Sequence, residues 1–185
     1  MEKRNTKQAA DTIKRIVLIG PESTGKTDLS AQLAAHYNTI WLPEYARNYI
    51  LSLNRPYDHR DIEHIAEMQI KLEDTIEIKA NHYFFLDTDL IITKIWFLHL
   101  YKSCPQWVVS NIEEAKRDLY LLCDADIPWI ADNIRENGGE KRNYFFKLYE
   151  AELIKYNFPY RIIRGEGKER LNNSIKEIDT FFQGK

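Results

Sequence analysis

The sequence predicts an α/β fold in three layers, with a parallel sheet of about five strands covered by helices on both faces. Three observations carry this. Short apolar, β-rich runs alternate along the chain with longer helical stretches. A glycine-bounded loop, residues 20–27 (Gly-Pro-Glu-Ser-Thr-Gly-Lys-Thr), lies between the first apolar run and the first helical stretch. The polar motifs fall just past the ends of the apolar runs, where parallel sheets bind ligands. At 185 residues the chain is expected to form one domain.

Each element follows from a local pattern. Residues 1–14 are polar and charged and read as a lead-in, without the apolar core of a signal peptide. Residues 15–19 (Arg-Ile-Val-Leu-Ile) have the composition of a buried parallel strand. After the loop, Leu29, Leu33, Ala31, Ala34 and Ala35 open a helix with an apolar face, ending near His36 and Tyr37. Residues 39–42 (Thr-Ile-Trp-Leu) form the second strand, stopped by Pro43. A short helix is expected over 44–52, then a proline-bearing loop over 54–58. Asp58 or Asp61 caps a long helix reaching about residue 81. Residues 83–86 (Tyr-Phe-Phe-Leu) form the third strand and run into Asp87-Thr88-Asp89. Two helical blocks, 90–101 and 107–116, break at Cys104-Pro105. The fourth strand is 119–122; a polar stretch over 132–143 contains Gly138 and Gly139; an amphipathic helix covers 144–156. The fifth strand is 160–163, followed by a turn at 165–167 and a closing helix over 168–182.

Composition narrows the function classes. Apolar residues make up 44% and charged residues 29%, ordinary for a soluble globular protein. A net charge of −2 gives no electrostatic reason to expect nucleic acid as a partner. No apolar run reaches the roughly eighteen residues of a membrane span. Cys104 and Cys123 have neither disulfide-framework nor metal-site spacing, which points to a reducing cytoplasm. His59 and His64, five apart, do not make a helical metal pair. No feature of the sequence sets the oligomeric state.

The loop carries the most specific chemistry. Its spacing is glycine, four residues, glycine, lysine, then threonine: the phosphate-binding P-loop, or Walker A, pattern in its strand-to-helix context. Gly20 and Gly25 permit positive φ and close backbone approach to phosphates. Successive N–H groups form an anion nest, and the following helix adds its positive end. Lys26 supplies charge to the β- and γ-phosphates, and the Thr27 hydroxyl is the expected ligand of a magnesium ion (Mg2+). Glu22, Ser23, Thr24 and Asp28 complete the stretch expected to contact the nucleotide.

Other strand ends supply a second set of candidates. Asp87 closes an apolar strand, the place of a carboxylate that holds magnesium; Asp89 shares that task or caps the next helix. Glu44, past the second strand, is placed to take a hydroxyl proton from a phosphoryl acceptor, or merely to start a helix. Arg47 shares its helix face and serves to clamp a phosphate or fix Glu44. Arg135, Lys141 and Arg142 flank the double glycine, where a mobile lid would bring cations to a transferring phosphate. Arg135 and Arg142, seven apart, face one way only if the glycines do not break the helix. Trp129 and Tyr45 offer faces for a ring or belong to the core. The turn at 165–167 is a candidate adenine edge by position.

Taken together, residues 20–27, Pro43-Glu44-Tyr45-Ala46-Arg47, Asp87-Thr88-Asp89 and Asp126-Ile127-Pro128-Trp129 with a following arginine resemble the ribosylnicotinamide kinase domain of the bacterial NadR proteins, over about residues 15–178. The resemblance implies a P-loop, nucleoside-kinase-like fold and an ATP- and magnesium-dependent kinase. ATP is then the phosphoryl donor, and the acceptor is the 5′-hydroxyl of nicotinamide riboside, giving nicotinamide mononucleotide. Either Glu44 or Asp87 orients or deprotonates that hydroxyl. A pyridinium cation calls for aromatic faces and carboxylates, and Tyr45, Trp129, Glu44, Asp126 and Asp132 are the candidates for them. Larger family members add a DNA-binding helix-turn-helix and an adenylyltransferase domain. About fourteen residues precede the first strand and no His-x-Gly-His sequence occurs, so neither activity is expected of these residues.

Overall fold

The computed structural model describes residues 13–131 and 135–184. Nearly all of the expected lead-in lies outside them, as does Asp132. Five strands, β1 (Lys14–Ile19), β2 (Ile40–Leu42), β3 (Tyr83–Asp87), β4 (Leu119–Cys123) and β5 (Tyr160–Ile163), form one sheet in the order β2-β3-β1-β4-β5. Every pairing is parallel. The helices are α1 (Lys26–His36), α2 (Tyr45–Ser52), α3 (His59–Glu77), α4 (Leu90–Tyr101), α5 (Gln106–Glu114), α6 (Lys141–Lys155) and α7 (Lys168–Gln183).

The alternation of β1 sorts the core into two layers. Ile16 and Leu18 point to one face, where they meet Leu29 and Leu33 of α1 and Ile178 of α7. Val17 and Ile19 point to the other, against Ile62 of α3, Ile91 and Ile95 of α4, Ile112 of α5 and Phe145 and Leu153 of α6. With both faces covered, a strand buries every side chain, which is why β1 and β4 read as continuous apolar runs rather than alternating ones.

Boundaries moved where a cap or turn decided them. Asp58, not Asp61, caps α3: its carboxylate accepts from the N–H groups of Arg60 (2.8 Å) and Asp61 (3.2 Å), and Asp61 returns the bond to the Asp58 N–H (2.7 Å). Helix α3 stops at Glu77, short of 81, where the Lys79 and Ala80 N–H groups donate three residues back to the Ile76 (3.0 Å) and Glu77 (2.8 Å) carbonyls, and His82, at φ 56°, then leads into β3. Helix α6 starts at Lys141 rather than 144, with Gly139 at φ 60° before it. Arg135 and Arg142 are therefore not on one helix, and their side chains part company.

Chain order places the site. Strand β1 lies at the centre, and β2 and β3 sit on one side of it, β4 and β5 on the other. The loop after β1 is thus flanked by the end of β3 and the end of β4, with β2 beyond β3.

Candidate active site

The loop is shaped by two glycines for different reasons. At Gly20, a Cβ would stand 2.6 Å from the Cys123 carbonyl oxygen, so β1 can leave the sheet beside β4 only with no side chain. Gly25 has φ 73°, in the left-handed region, and brings no side chain to take up the free N–H groups that open α1. Thr24 is buried and its hydroxyl donates to the Pro21 carbonyl (2.9 Å), bracing the arc from within. Lys26 Nζ donates to the carbonyls of Gly20 (2.9 Å) and Pro21 (3.0 Å), which holds the ammonium across the mouth of the loop.

Next to it, the Thr27 hydroxyl donates to Asp87 Oδ2 at 2.6 Å. Asp87 is fully buried at the end of β3, and its Oδ1 has no hydrogen-bond partner. Burial pushes its carboxyl above the usual range, opposed by Lys26 and the Thr27 hydroxyl. A buried, under-coordinated carboxylate oxygen beside a threonine hydroxyl fits a small divalent cation that takes its other ligands from phosphate and water. No cluster of three or more His, Cys, Asp or Glu suited to a metal exists among the described residues.

Asp89, two residues on, has a structural task. Thr88 adopts φ 75° and reverses the chain. Asp89 caps α4 through the Ile91 N–H (2.9 Å), accepts from the Tyr120 hydroxyl (2.7 Å), and pairs with Arg117 (3.4 Å), which is clamped by Glu73 (2.6 and 2.8 Å). The metal alternative for Asp89 gives way to the capping one, because its oxygens are already engaged.

A cleft of about 620 Å³ opens from the loop and is lined by loop residues 20 and 22–28, then by Glu44, Arg47, Thr88, Trp96, Arg135 and Lys141 among others. Glu44 is the N-cap residue of α2 in an extended conformation, which swings its side chain into the cleft beside Lys26 and Asp87. Desolvation pushes its pKa up to about 7, with Lys26 working against the shift and Asp87 adding to it. A carboxylate poised there exchanges a proton near neutral pH.

The far wall is aromatic. Tyr57, Trp96, His99, Phe145 and Tyr149 line it together with Ile50, Ile92 and Ile95. Trp96 and Tyr57 meet edge to face at 5.0 Å, and Trp96 Nε1–H donates to the Tyr57 oxygen (3.4 Å). None of these aromatics was among the sequence candidates. A signal existed: residues 92, 95, 96, 99 and 100 recur at helical spacing and mark one face of α4. Because α4 is apolar on nearly every face, that stripe had no polar contrast to stand against.

Several sequence candidates sit elsewhere. Trp129 packs on the lid itself, where a Cβ on Gly138 would come within 3.0 Å of its indole, so it fills the loop rather than facing the cleft. Tyr45 stacks on Tyr49 (5.8 Å) and its hydroxyl meets His64 Nε2 (3.2 Å), between α2 and α3 and off the cleft wall. Asp126 pairs with Arg170 and accepts from the Gly165 N–H (2.7 Å). Arg170, 3% exposed, also donates to the Thr24 carbonyl (2.8 Å). These bonds fasten the loops after β4 and β5 to the phosphate loop, and the turn at 165–167 is part of that fastening. Arg142 is 6% exposed and donates to the carbonyls of Ile127 (2.8 Å) and Ser23 (3.0 Å), so it braces the loop from behind instead of reaching in as a lid cation. Arg135 and Lys141 do line the cleft. Among the loop residues, the Glu22 carboxylate is turned onto the lid, and the Ser23 hydroxyl accepts from the Ile130 N–H (3.0 Å).

Comparison with known proteins adds a family. The AAA domain model matches residues 15–170. The chain belongs to that family. It is also similar in sequence to the trifunctional NAD biosynthesis/regulator protein NadR of Salmonella typhimurium, with 28% identity over 149 residues, covering 78% of this chain and 36% of that protein. The chain thus spans about a third of the curated relatives it matches. In three dimensions it resembles a NadR protein crystallised in complex with NR (TM-score 0.75, 22% identity, 94% of this chain and 52% of the other). It also resembles thymidylate kinase from Ehrlichia chaffeensis (TM-score 0.60, 14% identity, 89% and 98%). This AAA-family chain has the P-loop, nucleoside-kinase-like α/β fold that its sequence predicted. No helix of the described residues is long and apolar enough to cross a membrane.

Proposed function

We propose that this chain is an ATP- and magnesium-dependent kinase that phosphorylates nicotinamide riboside to nicotinamide mononucleotide. One observation carries the reading: a single cleft joins a phosphate loop to an aromatic wall, with Glu44 between them. The likeness to NadR in sequence and to a NadR–NR complex in fold supports the choice of acceptor.

In this mechanism the loop N–H groups and Lys26 hold the β- and γ-phosphates. Thr27 and Asp87 would hold the magnesium ion, which when bound would supply positive charge to the phosphates. The acceptor's ring rests against Trp96 and Tyr57, with the Glu136 carboxylate beside them to attract a pyridinium cation. Its hydroxyl then points at the γ-phosphorus, next to Glu44. The new P–O bond forms as the bridging P–O bond to the β-phosphate breaks, the hydroxyl proton passes to Glu44, and ADP leaves. Arg135 and Lys141, which both line the cleft, offset charge on the transferring group in this reading.

A second reading is a kinase for another nucleoside, favoured by the shared fold with thymidylate kinase. An assay coupling ADP release to product identification separates them. Nicotinamide-riboside-dependent ADP formation with the mononucleotide as product supports the first. Turnover with deoxynucleosides alone, or none with any nucleoside, rejects it.

A further inference from the structure

Glu22 presents an electrostatic puzzle. A carboxylate in a phosphate loop repels the phosphates the loop is built to hold. Its placement supplies a reason. The Glu22 Oε2 accepts from two successive backbone N–H groups of the lid, those of Glu136 (3.0 Å) and Asn137 (3.0 Å), while Oε1 accepts from the Asn137 side-chain amide (3.1 Å). Three donors converging on one carboxylate make a strong, directional anchor. Two of them are main-chain groups, so the backbone at residues 136 and 137 is held, not merely one side chain.

From that anchored position the lid reaches the opposite wall. The Tyr57 hydroxyl donates to Glu136 Oε2 (3.2 Å) and in turn accepts from Trp96 Nε1–H (3.4 Å). A continuous chain of polar contacts therefore runs from the phosphate loop, through residues 136 and 137, to the aromatic wall. We propose that Glu22 is a positioning residue that latches the lid across the cleft and thereby couples the phosphate end to the acceptor end. It acts through the lid, and it does not hold nucleotide. With the latch made, the lid excludes water from the γ-phosphate and presents Glu136 and Tyr57 to the acceptor. With it lost, the cleft opens, and water takes the acceptor's place at phosphorus, giving ADP and inorganic phosphate.

The inference rests on the kinase reading for the word acceptor, but its test does not need the acceptor's identity. Glu22→Ala and Asn137→Ala are compared with the unmutated chain, with ATP and magnesium. Three quantities are read: ADP release without any nucleoside, affinity for a non-hydrolysable ATP analogue, and KM against kcat for nicotinamide riboside. Glu22→Ala is expected to raise nucleoside-independent ADP release several-fold and the acceptor KM about tenfold, with analogue affinity unchanged within about twofold. Asn137→Ala is expected to show the same pattern more weakly. The double variant should be no worse than Glu22→Ala alone, because both remove one latch.

The proposal is overturned if Glu22→Ala weakens analogue binding instead, which makes Glu22 a nucleotide contact. It is equally overturned if the two single effects multiply, or if neither variant changes ADP release or KM. Should Glu22→Ala fail to fold, Asn137→Ala decides by itself, and an unchanged ADP release and KM sinks the latch. If the unmutated chain phosphorylates no nucleoside, the function reading fails, while ADP release and analogue affinity still decide the latch.

Discussion

The two ends of the cleft are built in opposite ways. The phosphate end comes from one continuous stretch, residues 20–28, and works largely through main-chain groups fixed by Gly20 and Gly25. The aromatic end is assembled from Tyr57 before α3, Trp96 and His99 of α4, and Phe145 and Tyr149 of α6, and works through side chains. A site made of backbone is set by conformation and admits few sequences. A site made of side chains from separate elements is set by packing and admits many. The first should therefore fail all at once when broken, the second by degrees.

The largest effect should come from Lys26→Ala. Turnover is expected to fall roughly 10²–10³-fold, with the melting curve unchanged, since the ammonium holds only two loop carbonyls. A variant that keeps its activity would remove the phosphate end from the mechanism. Asp87→Asn should follow, with kcat down about 100-fold and the magnesium titration shifted to higher concentration. An unshifted titration would mean that the unpartnered Asp87 oxygen is not a metal ligand.

Glu44 stands between the ends and gives a pH signature. With its pKa raised from 4.5 to about 7, it is protonated below neutrality, so kcat/KM should fall by about tenfold per pH unit below pH 7. Glu44→Gln should abolish that limb. Stability has the opposite sign. The folded state binds this proton more tightly than the unfolded chain, so Glu44 costs stability increasingly as pH rises from about 4.5 to about 7. Glu44→Gln should raise the melting temperature at pH 8 and change it little at pH 4.5. A flat pH profile in the unmutated chain would relieve Glu44 of the role.

At the aromatic end, Trp96→Ala should raise the acceptor KM about tenfold and leave the KM for ATP within twofold. Equal effects on both substrates would show that the two ends are not separable. The smallest effect is expected from Asp126→Asn. It should cost about 1 kcal/mol of stability by weakening the Arg170 fastening, with acceptor KM unchanged. A rise in KM would return Asp126 to the acceptor site.

The same contrast explains what could be read in the sequence. The five strands and the loop were legible because each is local: an apolar run, a glycine spacing, a strand end. The polar lid is legible as a segment, but nearness to a motif does not say which way a side chain turns, and in the fold Arg142 and Asp126 serve the loop from behind. Trp129 stands out in the sequence and Trp96 does not, for one physical reason. A tryptophan at a strand end stands out from polar neighbours, and one inside a uniformly apolar helix does not. Asp87 and Asp89 were both plausible metal ligands by spacing alone. What separates them is the turn at Thr88, which no periodicity encodes.

That turn has a consequence of its own. A threonine at φ 75° sits where β-branched residues rarely do, at a cost of roughly 1–3 kcal/mol. It survives because its N–H donates to the Leu18 carbonyl (3.0 Å), and the reversal sends one aspartate to the chemistry and the next to the helix cap. Anyone selecting variants for heat tolerance would be drawn to relax position 88 with a residue at ease in that conformation. The same relaxation frees the backbone that aims Asp87. Thr88→Gly is therefore expected to raise the melting temperature and lower kcat together, and libraries screened for heat tolerance should lose activity there.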